Sequence, residues 1–388
     1  MKQLFSAMLL VLMLTSYSQT EKKYSEFSAS NDTIVLRTQK QKGGGLFLNG
    51  AGLFSQVADT VFSYTVKMPK NISNIYRAQI ITDLTSKQRN YINIAIGTKD
   101  GKDVFIVDQN NNRDFTDDGI YIIKPMNWQS AENSVKCRYL ISNGKKMVQD
   151  STWIDLGTQN GDLFYRKNEH LTANFKIDSK SYTIGISEPF NPFTNYGDRT
   201  QFALINDNGK TKDTLLPSDI LKAGEFVKLN NHHYRLVNMS HNGEYLTLIR
   251  ENDFSKKTGL QVGMLAPAFK GVTVDGTPIN SDNLHDKSII VINSCGCGGD
   301  IASTDAYYQI EKKYRGRVHM LRLDSKIEKT EKGLQMDVEE KENKDVCNTY
   351  RGEYCSRTCY IIDKNNRVID KFDSSRWQEY FWSSNISF

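Results

Sequence analysis

Three groups of side chains in this sequence have the types and spacing to do chemistry. The first is Cys295-Gly296-Cys297, inside the run Ser294-Cys-Gly-Cys-Gly-Gly-Asp300, with Cys347, Cys355 and Cys359 further along. A thiol attacks as its thiolate, and thiolate is favoured beside cations and at the start of a helix. Two thiols one residue apart form a candidate redox pair. One attacks a partner's disulfide, and its neighbour resolves the mixed disulfide. The small ring that joins them makes their bond strained and oxidising. The second group is Asp108-Gln-Asn110-Asn-Asn112-Arg-Asp114-Phe-Thr-Asp117-Asp118, with oxygen side chains at alternate positions as in a calcium loop. It departs from that form where Arg113 replaces the turn glycine and Gly119 replaces the closing glutamate. A solvated Asn/Asp turn is the competing reading. The third group is His232-His233, but neighbours on a strand point to opposite faces, which argues against a shared metal. Cys137 lies in an alternating run and reads as a small buried hydrophobe.

The elements around these groups fall into two kinds. From about residue 45 to 250 the period is two. Tyr91–Ile96, Val104–Val107, Gly119–Ile123 and Val135–Leu140 are short β-branched and aromatic runs between Asn, Asp and Gly, and Val61–Met68 alternates imperfectly. Asn143-Gly144 and Asn242-Gly243 suit hairpin turns. Phe175-Lys-Ile-Asp before Tyr182 and Val227-Lys-Leu-Asn before Tyr234 look alike, either as a duplicated hairpin or by coincidence. The segment before residue 45, with three consecutive glycines, reads as a loose leader. After about residue 255 the character changes. Ser288–Asn293 is a continuous apolar run, as in a strand buried on both faces. Asp300–Tyr314 reads as a helix capped by Asp300 or Ser303, and Val318–Leu323 as a second strand. Tyr360–Phe372 reads as a hairpin turning at Asn365-Asn366, and Arg376–Trp382 as a closing helix.

This last stretch resembles the thioredoxin-like (redoxin) domains of exported TlpA- and ResA-type thiol–disulfide oxidoreductases. The likeness is carried by Gly263-Met-Leu-Ala-Pro267-Ala-Phe269, Asp275-Gly276-Thr-Pro-Ile279, Leu284-His-Asp-Lys287, Ile289–Asn293 and Tyr360-Ile-Ile-Asp363-Lys-Asn-Asn-Arg-Val368. It covers about a third of the chain. The resemblance implies a thioredoxin-like fold with its active-site turn between the Ser288–Asn293 strand and the following helix. That family has Cys-x-x-Cys at the turn. Here, with the helix kept in register, Cys297 takes the second cysteine's place and Ser294 the first's. The family's cis-proline falls near Arg357, where a trans peptide is expected because a non-proline cis bond costs ~2.5–4 kcal/mol.

In that fold the loop carrying Cys355 and Cys359 packs beside the turn, so four cysteines converge and several readings compete. Cys295 and Cys297 are a redox pair. Alternatively catalysis is lost, and disulfides among Cys347, Cys355, Cys359 and the turn stiffen a binding module. A thiolate metal or iron–sulfur site from Cys295, Cys297, Cys355 and Cys359 is a third reading, which an oxidising compartment disfavours. Peroxiredoxin chemistry is a fourth, but the Pro-x-x-x-Thr-x-x-Cys environment is missing around Cys295.

Length and composition bound these readings. The chain has 388 residues, 50 basic and 45 acidic side chains, 38% hydrophobic and 24% charged residues. That suits two or three globular domains and excludes collagen-like, disordered and small disulfide-scaffold classes. A net charge of +5 is too small to make nucleic acid or anionic membrane the main partner. Met1-Lys2, an apolar run from Leu4 to Thr15, and Ser16 and Ser18 form a cleavable secretory signal too short to span a bilayer. The expected organisation is a signal peptide over 1–18, a β-rich, sandwich-like region of one or two modules over 19–255, and a thioredoxin-like α/β domain over 260–388. The expected protein is exported, periplasmic or secreted, with no cofactor, no metal and no membrane span after cleavage. Its expected partner is a protein thiol or disulfide.

Overall fold

The computed structural model describes residues 25–47, 50–53, 65–83, 90–127, 130, 134–188, 195–294, 300–325, 327, 333–351 and 357–379. The expected signal peptide over 1–18 lies outside them, as do residues 380–382 of the expected closing helix. Among the described residues no helix is long and apolar enough to cross a membrane.

Residues 25–251 form strands that pack into two sandwiches. The outer one joins strands from both ends of this region. β1 (Thr33–Arg37) pairs with the late strand Tyr245–Glu251, and β2 (Gln39–Lys42) pairs with Glu169–Ile177. The segment read as a loose leader therefore contributes edge strands to two sheets. In it Ile34 and Leu36 alternate with the exposed Thr33, Val35 and Arg37 and sit in the core. Its partners lie far along the chain, so no local turn signal announces them. Of the run read over 61–68, residues 61–64 lie outside the described residues, and Lys67 makes only an isolated bridge to Asp114.

The inner sandwich is inserted within the outer one. β3 (Ser73–Ile81), β4 (Tyr91–Lys99) and β5 (Lys102–Val107) form one sheet; β6 (Val135–Ser142), β7 (Met147–Gln159) and β8 (Asp162–Lys167) form the other. Ile80, Ile94, Phe105, Cys137, Tyr139 and Ile154 meet between them. The outer sandwich resumes with β9 (Glu169–Ile177), β10 (Lys180–Ser187) and β11 (Gln201–Asp207). Facing these is the sheet of β12 (Phe226–Leu229), β13 (His232–Met239), β14 (Tyr245–Glu251) and β1.

Two-residue turns set the registers. Asp178 and Ser179 join β9 to β10, and Asn230 and Asn231 join β12 to β13, all with positive φ. That is the type I′ geometry whose twist matches the strands. The two look-alike segments are thus equivalent hairpins, with Phe175 opposite Tyr182 and Val227 opposite Tyr234.

Residues after 252 build a separate core around a five-stranded sheet. β15 (Ser288–Asn293) is buried along its whole length. It runs parallel to β16 (Val318–Asp324), which is parallel to β17 (Leu334–Asp337). On its other side β15 pairs antiparallel with β18 (Thr358–Ile362), which pairs antiparallel with β19 (Val368–Asp373). The crossover from β15 to β16 is α1 (Ile301–Tyr314), which packs Ala306, Tyr307, Ile310 and Tyr314 on the sheet. This strand order and these directions are those of a thioredoxin-like fold. The turn at Asn365-Asn366 joins β18 to β19, with Asn366 at φ 60°.

Candidate active site at the end of the central strand

The site grows from the point where β15 stops. Asn293 is fully buried there and acts as a tie. Its side-chain amide donates to the carbonyls of Tyr350, at 2.8 Å, and Thr358, at 2.5 Å. Its backbone N–H faces the Cys359 sulfur at 3.3 Å, and its carbonyl accepts from the Ser374 hydroxyl at 3.3 Å. One polar side chain therefore fastens the central strand to both segments that border the turn.

Ser294 follows, 1% exposed, with its hydroxyl donating to Asp324 at the end of β16. Asp324 also pairs with Arg322 at 2.7 Å. Arg322 reaches Gln335 and the Thr304 hydroxyl, each at 3.1 Å, and lies over the rings of Tyr307 and Tyr308. The start of the turn is thereby held against β16, β17 and α1.

Cys295 and Cys297 lie in residues 295–299, outside the described residues, as does Cys355. Chain continuity nevertheless places both cysteines of the pair between Ser294 and Asp300. Asp300 caps α1, accepting from the Ser303 N–H at 3.4 Å and the Ser303 hydroxyl at 2.5 Å. The Ser303 hydroxyl in turn lies 2.7 Å from that of Ser374. A carboxylate at this end complements the helix dipole and satisfies orphan N–H groups. Arg357 grips the same carboxylate with two nitrogens, at 3.0 and 2.8 Å, from the segment leading into β18. The position that the resemblance gives to a proline thus carries a guanidinium clamped to the helix start. The peptide bond before Arg357 involves Ser356, outside the described residues.

Cys347 and Cys359 are free thiols, and so is Cys137. Cys359 is fully buried, and burial pushes its pKa up to about 12, so it keeps its proton at neutral pH. Its sulfur points to the Arg357 carbonyl, at 3.4 Å. Neither Cys347 nor Cys359, each expected as a disulfide or redox cysteine, is in a disulfide here; Cys355, expected in the same role, lies outside the described residues. Cys137 is likewise pushed up by burial.

The side chains of the other two groups find partners within the chain. In the 108–118 loop, the Asp108 carboxylate accepts from the N–H groups of Asn112 and Arg113, and Asp114 pairs with Lys67 at 2.7 Å. Asn112 and Asn110 both donate to Asp117. Among the described residues no group of three or more His, Cys, Asp or Glu side chains could hold a metal ion. His232 bonds Arg250, while His233 stacks on Phe254 at 3.8 Å.

The Arg357–Asp300 clamp, the Asn293 tie and the Ser294–Asp324–Arg322 chain were not anticipated. Two signals were present: an Asn closing an otherwise apolar strand, and the Arg-Leu-Asp alternation that ends β16.

No protein-family model matches the chain, and no curated protein matches it. Solved structures that resemble it do so over about a third of its length. The thioredoxin domain of a thiol-disulfide oxidoreductase from Bacteroides vulgatus is 16% identical over 32% of this chain and 99% of that one, with a TM-score of 0.26. A thiol:disulfide interchange protein from Bacteroides sp. is 14% identical over 34% and 93%, with a TM-score of 0.27. A thioredoxin-family thiol:disulfide interchange protein from Chlorobium tepidum is 18% identical over 29% and 90%, with a TM-score of 0.24.

Proposed function

We propose that this protein is an exported thiol–disulfide oxidoreductase that acts on protein cysteines through Cys295 and Cys297. The observation that carries this reading is the bracketing of the two cysteines. A buried central strand ends at Asn293, a helix begins at Ile301, and the pair lies in the seven residues, 294–300, that join them in sequence. A helix N-terminus lowers a thiol's pKa, and the Asp300 cap fixes where this helix starts.

In the exchange, one thiolate of the pair attacks a sulfur of the partner's disulfide. The partner's sulfur–sulfur bond breaks, and its other sulfur leaves as a thiolate that takes a proton from water. The second cysteine, once deprotonated, attacks the mixed disulfide and releases the partner's remaining thiolate. The partner gains two electrons and the Cys295–Cys297 bond forms; the reverse sequence oxidises a dithiol partner. Export rests on the leader over 1–18.

The test is thiol mapping by mass spectrometry on protein prepared without reductant, joined to an insulin-reduction assay. The expected result is a Cys295–Cys297 disulfide that a mild dithiol opens quickly, with activity lost in Cys295→Ser and Cys297→Ser. Free, unreactive thiols at both positions would end this reading. They would favour the second one, a redox-inactive binding module, which the Arg357–Asp300 clamp across the usual proline position supports.

A further inference from the structure

We propose that the groove between the outer sandwich and the C-terminal domain binds an extended, carboxylate-rich peptide as an added strand on β12. The groove has a volume of about 860 Å³ and is lined by β12, the start of β10, the end of β11 with the segment that follows it, and Phe254, Gln261 and Lys371. That size falls within the ~300–1,000 Å³ of ligand sites, which favour domain junctions.

The backbone supplies the first argument. β12 is an edge strand of its sheet. The Gln261 side-chain amide already occupies one rung of the missing neighbour: its oxygen accepts from the Phe226 N–H at 2.7 Å, and its nitrogen donates to the Phe226 carbonyl at 3.0 Å. Those are the two bonds a paired strand residue would make. Backbone groups on a strand alternate sides, so the N–H and carbonyl of Lys228 point the same way as those of Phe226 and offer the next rung. Lys228 lines the groove. An extended peptide pairing there is strand addition, in which the main chain gives affinity and alternate side chains give specificity.

Charge supplies the second argument and selects the occupant. Five lysines line the groove against three carboxylates, and one of the lysines, Lys212, is spent on Asp219 at 2.9 Å. Lys371, on the edge strand β19, lines this space, and among the described residues its amine makes no hydrogen bond or ion pair. Burial pulls its pKa down, against the influence of Glu225 and with that of Lys222. A glutamate or aspartate on the incoming strand would give that amine the partner it lacks. The stacked rings of His233 and Phe254, with Phe226 edge-on at 5.3 Å, make an apolar shelf for the alternate side chains.

This inference does not depend on the thiol reading, and its test separates the two. Binding of a fluorescein-labelled heptapeptide of alternating Glu and Val is followed by anisotropy on the full mature chain, both with native cysteines and with Cys295 and Cys297 replaced by Ser. Saturable binding is expected in both, weakening as salt rises. Lys228→Pro, which removes the donor, and Lys371→Glu should each weaken it about tenfold, with circular dichroism confirming that the variants fold. A probe N-methylated at alternate residues needs no altered protein and should fail to bind. Three results would overturn the proposal: no saturable binding, equal binding of the N-methylated or the Lys-for-Glu peptide, or displacement by free glutarate as effective as by the peptide. The last would assign the groove to small dianions.

Discussion

Cys359 sits beside the candidate centre, yet its surroundings suppress its chemistry. With the pKa pushed up to about 12 by burial, almost none of it is thiolate at neutral pH. Iodoacetamide applied to the native protein should therefore leave Cys359 unmodified and label it only after unfolding. Rapid native labelling, read by peptide mass, would show a more open β18 than the one described. Arg357 makes the opposite case. Its guanidinium is partly exposed, but it clamps a cap carboxylate whose side chain is only 4% exposed, so the pair fixes geometry where the helix starts. The sequence points to Cys359 as a disulfide partner and to Arg357 as the residue in a proline's place; the structure adds the burial of one and the ion pair of the other. Neither the burial of one nor the ion pair of the other is written in the neighbouring residues.

Among the elements, β15, α1 and β16 were legible in the sequence because each carries its own signal. β15 has an unbroken apolar run, α1 a capping Asp300, and β16 alternation with a buried face. The inner strands β4, β5 and β6 were equally clear. β1 and β2 were not, since short edge strands with distant partners look like polar linker. What holds the site's elements together is Asn293, the junction of β15 with the segments at Tyr350 and Thr358. Asn293→Ala leaves two buried carbonyls without donors, and each such loss costs ~1–3 kcal/mol. Urea unfolding of the variant should show at least about 2 kcal/mol of lost stability. A change within error would mean that water replaces the amide without cost.

The whole molecule carries a charged seam where the two sandwiches join. Lys167, ending β8, is 4% exposed and lies 4.1 Å from the Tyr196 ring centre with no hydrogen-bond partner for its amine. Glu169, at the start of β9, accepts from Thr152 across the seam, and Lys40 reaches Asp150 and Ser151. Burial pulls the Lys167 pKa down to about 8; Glu169 and Glu188 oppose that shift, and Lys40 adds to it. The unfolded lysine keeps its proton up to its ordinary pKa of 10.5. Between those limits the unfolded chain binds more protons, so this group's contribution to stability rises with pH. Below pH about 8 its burial cost is fully present. Lys167→Met should therefore stabilise the protein at neutral pH, and the gain should shrink as pH climbs from about 8 towards 10.5. Unfolding midpoints measured across that interval decide it, and a gain independent of pH would rule it out.

The pairing of β1 with β14 also dictates a schedule. As the chain emerges from its N-terminal end, β1 appears before the entire inner sandwich, while its hydrogen-bonding partner Tyr245–Glu251 follows only after it. Contacts between distant segments are slow to form because a long loop must close before they give anything back. The inner sandwich, whose strands are consecutive, can complete itself while β1 and β2 wait with open edges. Those edges are exposed to pairing with other chains throughout that interval. Any helper that shields this chain while it folds would have its longest task at residues 33–42, more than half the chain away from Cys295 and Cys297.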